Sequence, residues 1–598
     1  MQSRSSRLFA PFSILFLLSA ILLPAWSRAE EAPVDLLFGV RIPLRDGVEL
    51  NATVYRPGAQ SEPLPVIFTL TPYTADSYHE RAVYFARHGY VFALVDVRGR
   101  GNSGGRFDPF AQEGRDGHDV VEWLARQPWS NGKITMWGGS YAGYDQWATL
   151  REAPPHLATI VPVASPYPAA DFPMSGNVFA SYDIQWLTYT SGLTVNRNLF
   201  NDSSVWNQKF RDMYIHHRPF RELDRITGNL GTVFQTWLAH PTADAYWKSM
   251  AATPEQLAKA AVPILSLTGI YDGDQGGALT WYREHMRHGN PAAKEKHYLV
   301  IGPWDHAGTR TPAPEVGGLA FGEASLLDLN GLHKAWYDWT MKNGPLPSFL
   351  QKHVAWYLPG RGAEEWRYAD SLETVASTTR TFYLASEGRA DSVVHSGHLA
   401  DQPPPKTAPP DSWIYDPLVL AEIPPPADVG FVVDQRYPLS LAGDGVVYHS
   451  EPFAETTDLA GTVKLSVWLS MDVPDTDVQV FLYEIRPDGS SVALTSDLLR
   501  ARYRTSLEKE TLIKPGAILR YDFNGFTWTA RRLQKGSRLR LVISSPNTPD
   551  QEKNYNSGGV VADETEKDAR TAHINLIHDA DHPSALVIPV VAPIAGHD

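Results

Sequence analysis

The sequence predicts a doubly wound α/β domain, split by a helical insertion and followed by a β-sandwich, and three observations carry that prediction. Short apolar runs alternate with helix-compatible stretches from Val34 to about Ala164 and again from Val262 to Lys342, the pattern of strands joined by crossover helices. Residues 171–250 lose the strand signal and carry Trp and Tyr on polar, helix-compatible sequence. From about residue 350 many short strands and turn signals take over, which is how a pair of packed antiparallel sheets reads. The expected division is a leader over 1–29, an α/β domain over 33–170 and 251–348, a helical cap over 171–250 and a sandwich over 349–598. With 598 residues, several cores are expected.

The leader comes first. Arg4 and Arg7 precede an apolar run from Leu8 to Leu23, and Ser27-Arg28-Ala29 places small residues where a signal peptidase reads. Pro11, Ser13 and Ser19 interrupt the run, which is short for a membrane span, so the protein is expected to be exported, periplasmic or extracellular. Val40–Pro43 and Leu50–Tyr55 flank Arg45-Asp46-Gly47 as a hairpin. Pro65–Leu70, Tyr90–Asp96 and Lys133–Trp137 read as buried strands, with Asp116–Arg126 as a helix between the last two. In the insertion, Trp186, Tyr189, Trp206, Phe210, Tyr214, Trp237, Tyr246 and Trp247 are expected to be mainly core. Strands return at Val262–Leu267 and His297–Ile301, before a helix over 324–342. Proline runs at 402–405 and 423–426 precede the sandwich strands, among them Val463–Ser470, Val478–Ile485, Ser491–Thr495, Arg538–Ser544 and Ala585–Val591.

Composition excludes several functions. The formal charge is −14, more negative still without the three arginines of the leader, so the surface repels nucleic acid and anionic lipid. No cysteine is present, which rules out disulfides, thiolate zinc sites and a cysteine nucleophile. Adjacent histidines such as His216-His217 point in different directions on a helix, so no metal is expected there, and no cofactor is expected. Gly99, Gly101 and Gly104 form a literal G-x-G-x-x-G, but Phe107-Asp-Pro109 interrupts the helix a dinucleotide site needs. A structured loop is the better reading.

Chemistry is suggested by WGGSYAGY. A serine among glycines between a strand and a helix suits a sharp turn that exposes its hydroxyl. If Ser140 is a nucleophile, an acid and a histidine should follow in that order, each past the end of a strand. Asp272 in GIYDGDQGG and His306 in IGPWDHAG meet that requirement. His306 would take the serine proton while Asp272 orients and stabilises the ring. The Tyr141 amide, at a helix start, and Tyr73, after the strand Pro65–Leu70, are the candidate oxyanion-hole donors.

Taken together, IPLRDGVELNATVYRP, DVRGRGNSGG, QPWSNGKITMWGGSYAGY, GIYDGDQGG, VIGPWDHAG, VYHSEPF, DTDVQVFLYEIRPDG and GSRLRLVISSPNTP resemble the CocE/NonD hydrolases of the X-Pro dipeptidyl-peptidase (S15-like) superfamily. The resemblance spans nearly all of the chain after the leader. It implies an α/β-hydrolase fold with a helical cap and a C-terminal jelly roll, Ser140, Asp272 and His306 as the triad, and Tyr73 with the Tyr141 amide as oxyanion donors. Gly138, Ser140, Tyr141 and Gly143 fit the family's G-x-S-Y-x-G. Expected substrate-binding residues are Asp274 and Trp304. The family's amine-binding carboxylates look incomplete, since their places carry Asp274, Gln275 and Asn177. Nor is there room before Val34 for the N-terminal helical domain of true X-Pro dipeptidyl-peptidases.

The expected activity is a secreted serine hydrolase of carboxylic esters, with amides, aminoacyl esters, β-lactam acyl groups and X-Pro peptides as open alternatives. A non-catalytic binding protein built on the sandwich is the alternative from another class. Expected partners are a small-molecule ester or amide, with a second copy of the chain left open, and neither nucleic acid nor, after leader removal, a membrane.

Overall fold

The computed structural model describes residues 32–58, 60–421 and 430–592. The leader and the proline run 423–426 lie outside the described residues. Ten strands build the central sheet: β1 (Val34–Pro43), β2 (Glu49–Pro57), β3 (Leu64–Thr71), β4 (Val91–Asp96), β5 (Ser130–Met136), β6 (Leu157–Thr159), β7 (Ile264–Tyr271), β8 (His297–Asp305), β9 (Val354–Leu358) and β10 (Glu365–Ala369). Their order is β1-β2-β4-β3-β5-β6, continued by β7-β8-β9-β10. The two halves join where the chain after β6 meets β7, through the parallel pairs Ile160 with Ile264 and Val163 with Leu267. From β3 to β9 the neighbours run parallel, while β1, β2 and β10 are antiparallel additions.

Strands buried on both faces explain the unbroken apolar runs. Successive side chains point to opposite faces, so Val66, Phe68, Leu70, Val91, Ala93 and Val95 join one core while Ile67, Phe92 and Leu94 join another. Helices Glu113–Ala125 and Tyr141–Arg151 close the first face; His79–Arg87 and Leu329–Lys342 close the second.

Residues 171–250 form the expected helical cap, with helices that include Tyr182–Tyr189, Ser203–Ile215 and Thr232–Leu238 after a short hairpin, Met174–Ser175 with Val178–Phe179. Trp206, Phe210, Trp237 and Trp247 are buried in the same core as the helices beneath them. The C-terminal domain, Thr378–Val591, is a sheet-rich sandwich of thirteen described strands around its own core. β9 and β10 pair with β8 and each other and so extend the central sheet beyond residue 349.

Cap and sandwich are tied together. Arg500, buried, pairs with Asp477 at 2.8 Å and Glu552 at 2.7 Å and donates to the Asn177 carbonyl at 3.2 Å. The Ser181 amide and hydroxyl reach the carbonyls of Asp550 and Pro549 at 2.8 and 2.6 Å. From the α/β side, Gln275 accepts from the Trp528 amide at 2.7 Å and donates to the Trp528 carbonyl at 2.8 Å. No helix among the described residues is long and apolar enough to cross a membrane.

Candidate active site

Ser140 stands between β5 and the helix Tyr141–Arg151 with φ 62° and ψ −133°, a conformation that costs a non-glycine residue on the order of 1–3 kcal/mol. Its surroundings hold it there. The Ser140 amide donates to the Val163 carbonyl at 3.0 Å, and the Ser140 carbonyl accepts from Gly143 at 2.7 Å. Gln146 spans the base of the turn, donating to the Gly138 and Val161 carbonyls and accepting from the Val161 amide. The glycines have a steric reason: a Cβ on Gly138 would lie 2.6 Å from the Ala142 Cβ, and one on Gly143 would lie 2.7 Å from the Val163 carbonyl oxygen.

Asp272 follows β7 and His306 follows β8, so the parallel sheet delivers all three groups to one edge. The His306 Nδ1 lies 2.8 Å from Asp272 Oδ1. Asp272 also accepts from the Thr268 hydroxyl at 2.8 Å and the Asp274 amide at 3.1 Å. Burial pushes its carboxyl up, but the hydrogen bond and charge of His306 with these donors hold it below the usual range. The enclosing protein disfavours a charged His306 ring, yet Asp274 and Asp272 together keep it above the ordinary histidine value. A basic imidazole backed by an ionised carboxylate suits proton transfer from a hydroxyl.

The Tyr73 hydroxyl lies 3.1 Å from Ser140 Oγ and accepts from the Trp186 indole at 3.2 Å. Burial pushes the phenol well up despite these two bonds, so it keeps its proton as a donor at neutral pH. The Tyr141 amide opens the helix and has no intrahelical acceptor; the Tyr141 phenol is occupied elsewhere, donating to buried Glu113 at 2.6 Å. Among the described residues no hydrogen bond joins Ser140 to His306, a contact that in many hydrolases tightens only with substrate bound.

Ser140, Tyr73, Tyr141, His306 and Asp274 line one cavity of about 250 Å³. Pro166, Phe172, Tyr182 and Trp186 form its apolar wall. Asp274 Oδ2 is 3.8 Å from His306 Nδ1, and burial with the Asp272 charge pushes its carboxyl up to about 6, the His306 charge opposing.

Trp304 was expected at the substrate and is not there. Its ring is fully buried in the second core, 5.7 Å from the Trp366 ring between centroids, and its indole N–H donates to the Ser325 carbonyl at 3.0 Å. Gly302, two residues earlier on the same face of β8, leaves the space its ring fills. Gln275 serves the Trp528 clamp, and Asn177 donates to the Leu507 carbonyl at 2.7 Å, buried away from the cavity. The acid that sequence reasoning missed is Asp171, which accepts from the Tyr167 amide at 2.8 Å and the Gly277 amide at 2.5 Å. Burial first, then the nearby Asp274 charge, push it well above the carboxylate range. Among the described residues no cluster of His, Asp and Glu is arranged to hold a metal.

Comparison with known proteins places the chain among hydrolases. Residues 46–308 match the model of the X-Pro dipeptidyl-peptidase (S15 family), and residues 350–587 match that of the X-Pro dipeptidyl-peptidase C-terminal non-catalytic domain. A cocaine esterase from Rhodococcus sp. is 28% identical over 582 residues, covering 92% of this chain and 98% of its own. An α-amino acid ester hydrolase structure superimposes with a TM-score of 0.81 at 21% identity, over 96% of this chain and 99% of that one. An aminopeptidase from a marine sediment archaeon, Thaumarchaeota archaeon, gives 0.78 at 21% identity, over 94% and 97%. The catalytic and C-terminal models of the X-Pro dipeptidyl-peptidase (S15) family are thus met in order along one chain, and the protein is a serine ester hydrolase of that kind.

Proposed function

We propose that the enzyme hydrolyses small carboxylic esters through an acyl-enzyme on Ser140, with His306 as the general base and acid, Asp272 as its orienting carboxylate, and Tyr73 with the Tyr141 amide as the oxyanion hole. The observation that carries this reading is the pair of contacts facing one cavity, Tyr73 hydroxyl to Ser140 Oγ at 3.1 Å and His306 to Asp272 at 2.8 Å. Ser140 Oγ attacks the acyl carbonyl as its proton passes to His306 Nε2. Negative charge forming on the carbonyl oxygen is met by the Tyr73 O–H and the Tyr141 N–H; losing one such donor typically costs about 2.7–4 kcal/mol of barrier. The imidazolium, held by Asp272, protonates the departing alkoxide, and a water activated by the same ring frees the acid. Esters are preferred over amides because an alkoxide leaves more readily than an amine. The apolar wall of Phe172, Tyr182 and Trp186 suits an apolar acyl or alcohol part.

Export belongs to the same reading and rests on the leader residues Arg4, Arg7, Leu8–Leu23 and Ser27-Arg28-Ala29. The chemistry draws on one copy of the chain. The test is initial rates of the mature protein and its Ser140→Ala variant on acyl nitrophenyl esters, an aminoacyl ester, a glutaryl amide and Gly-Pro-nitroanilide. Turnover of plain esters that falls roughly 10⁴-fold or more in the variant is expected. Near-wild-type rates in Ser140→Ala would remove Ser140 as nucleophile. Mass spectrometry of the secreted protein's N-terminus tests export, with Ala29-Glu30 as the expected cleavage.

A further inference from the structure

The G-x-G-x-x-G loop after β4 has a role that its glycines alone do not disclose. Gly99 and Gly101 adopt φ 71° and 54°, and between them Arg100 turns inward until no part of it is exposed. A buried guanidinium ordinarily requires a carboxylate partner. Among the described residues Arg100 has none within hydrogen-bonding distance, and burial pulls it down to about 10, with the Asp96 charge opposing. What it meets is backbone. Its Nε donates to the Pro72 carbonyl at 2.8 Å, Nη1 to the carbonyls of Ser191, at 2.9 Å, and Gly192, and Nη2 to that of Tyr189 at 3.2 Å.

Those acceptors lie on two separate segments that meet at Tyr73. Pro72 is the residue before it, on the loop leaving β3. Tyr189 ends the cap helix Tyr182–Tyr189, and its ring stacks on that of Tyr73 with centroids 5.6 Å apart and planes 25° from parallel. The same helix supplies Trp186, whose indole N–H donates to the Tyr73 hydroxyl. A cation at the carbonyl end of that helix is also favourably placed toward its dipole.

We propose that Arg100 is a positioning residue for the oxyanion hole: one planar fork fixes both the backbone that carries Tyr73 and the cap segment that stacks against it, and so holds the phenol at Ser140. Lysine substitutes only in part, because a single ammonium lacks the rigid spread of donors that reaches both segments. The inference rests on the reading of Tyr73 as an oxyanion donor.

A double-mutant cycle on nitrophenyl ester hydrolysis tests it, with Arg100→Gln and Tyr73→Phe made singly and together and kcat and KM measured for each. If Arg100 acts through Tyr73, Arg100→Gln lowers kcat about 10-fold to 100-fold with KM within about 3-fold, below the 10²–10³-fold loss of an oxyanion donor itself. In the Tyr73→Phe background the same change then costs less than about 3-fold, because the group it positions is gone. Equal losses in both backgrounds overturn the proposal while leaving Tyr73 as donor. A fully active Tyr73→Phe beside an inactive Ser140→Ala overturns the Tyr73 reading, and the proposal with it. Arg100→Lys, which retains charge and bulk, is carried through the same cycle in case Arg100→Gln does not fold. Its expected loss is smaller and likewise confined to the background with Tyr73 intact; loss independent of Tyr73 refutes the proposal.

Discussion

Gly143→Ala places one methyl group where the support of Ser140, the proposed nucleophile, stands. The added Cβ would lie 2.7 Å from the Val163 carbonyl oxygen and 3.1 Å from the Ser165 Cβ. An ordinary contact of about 3.4 Å therefore demands a shift of about 0.7 Å, and the first atom in the way is the one that accepts the Ser140 amide at 3.0 Å. Backbone cannot swing aside as a side chain can, so the strain falls on the strained Ser140 turn and on the start of the helix that presents the Tyr141 amide. Overpacking of this kind costs about 1–3 kcal/mol of stability, and misplacement of reacting groups by about 1 Å costs up to about 10²-fold in rate. The expectation is kcat on a nitrophenyl ester lowered about 10–100-fold, KM changed far less, and a lower thermal midpoint. Initial-rate kinetics and differential scanning calorimetry on the same preparation read both. Unchanged kcat in a folded Gly143→Ala would refute the idea that close packing at this turn sets the nucleophile's position.

Two further outcomes can be checked. Because His306 stands above the ordinary histidine value with Asp274 as the leading stabilising charge, and the base must be neutral, kcat/KM rises with pH through the His306 pKa; Asp274→Asn lowers that pKa and moves the acid limb to lower pH, whereas an unmoved limb in the pH–rate profile would deny the coupling. Arg500→Met leaves the buried carboxylates of Asp477 and Glu552 uncompensated, a loss of about 3–5 kcal/mol, seen in calorimetry as a lower midpoint and contradicted by an unchanged one.

The placement of the residues proposed to react was legible because a parallel sheet makes local signals sufficient. An apolar run followed by Ser140, Asp272 or His306 marks a strand's carboxyl end, and the sheet does the rest by bringing those ends together. Trp304 misled because its neighbour in sequence, His306, is a site residue. The two part because Trp304 is still on the strand, over Gly302, while His306 has left it; a glycine two places before the tryptophan was the available signal. Asp171 has a local partner in the Tyr167 amide, but what ties it to the segment carrying Asp274 is the Gly277 amide, 106 residues away, and sequence could not show that contact. The pairing of β9 with β8 was likewise not legible, because it joins strands far apart in the chain.

The Asn177–Arg500 contact bears on how such enzymes can be recombined. The hairpin leading into the cap is anchored by a cation belonging to the C-terminal domain, whose two counter-ions, Asp477 and Glu552, belong there too. A chimera cut near residue 375 would thus inherit a cap from one parent and its anchor from the other. Exchanging C-terminal domains between relatives calls for moving residues 174–181 along with them, and the unit that recombines is discontinuous in the gene although contiguous in space.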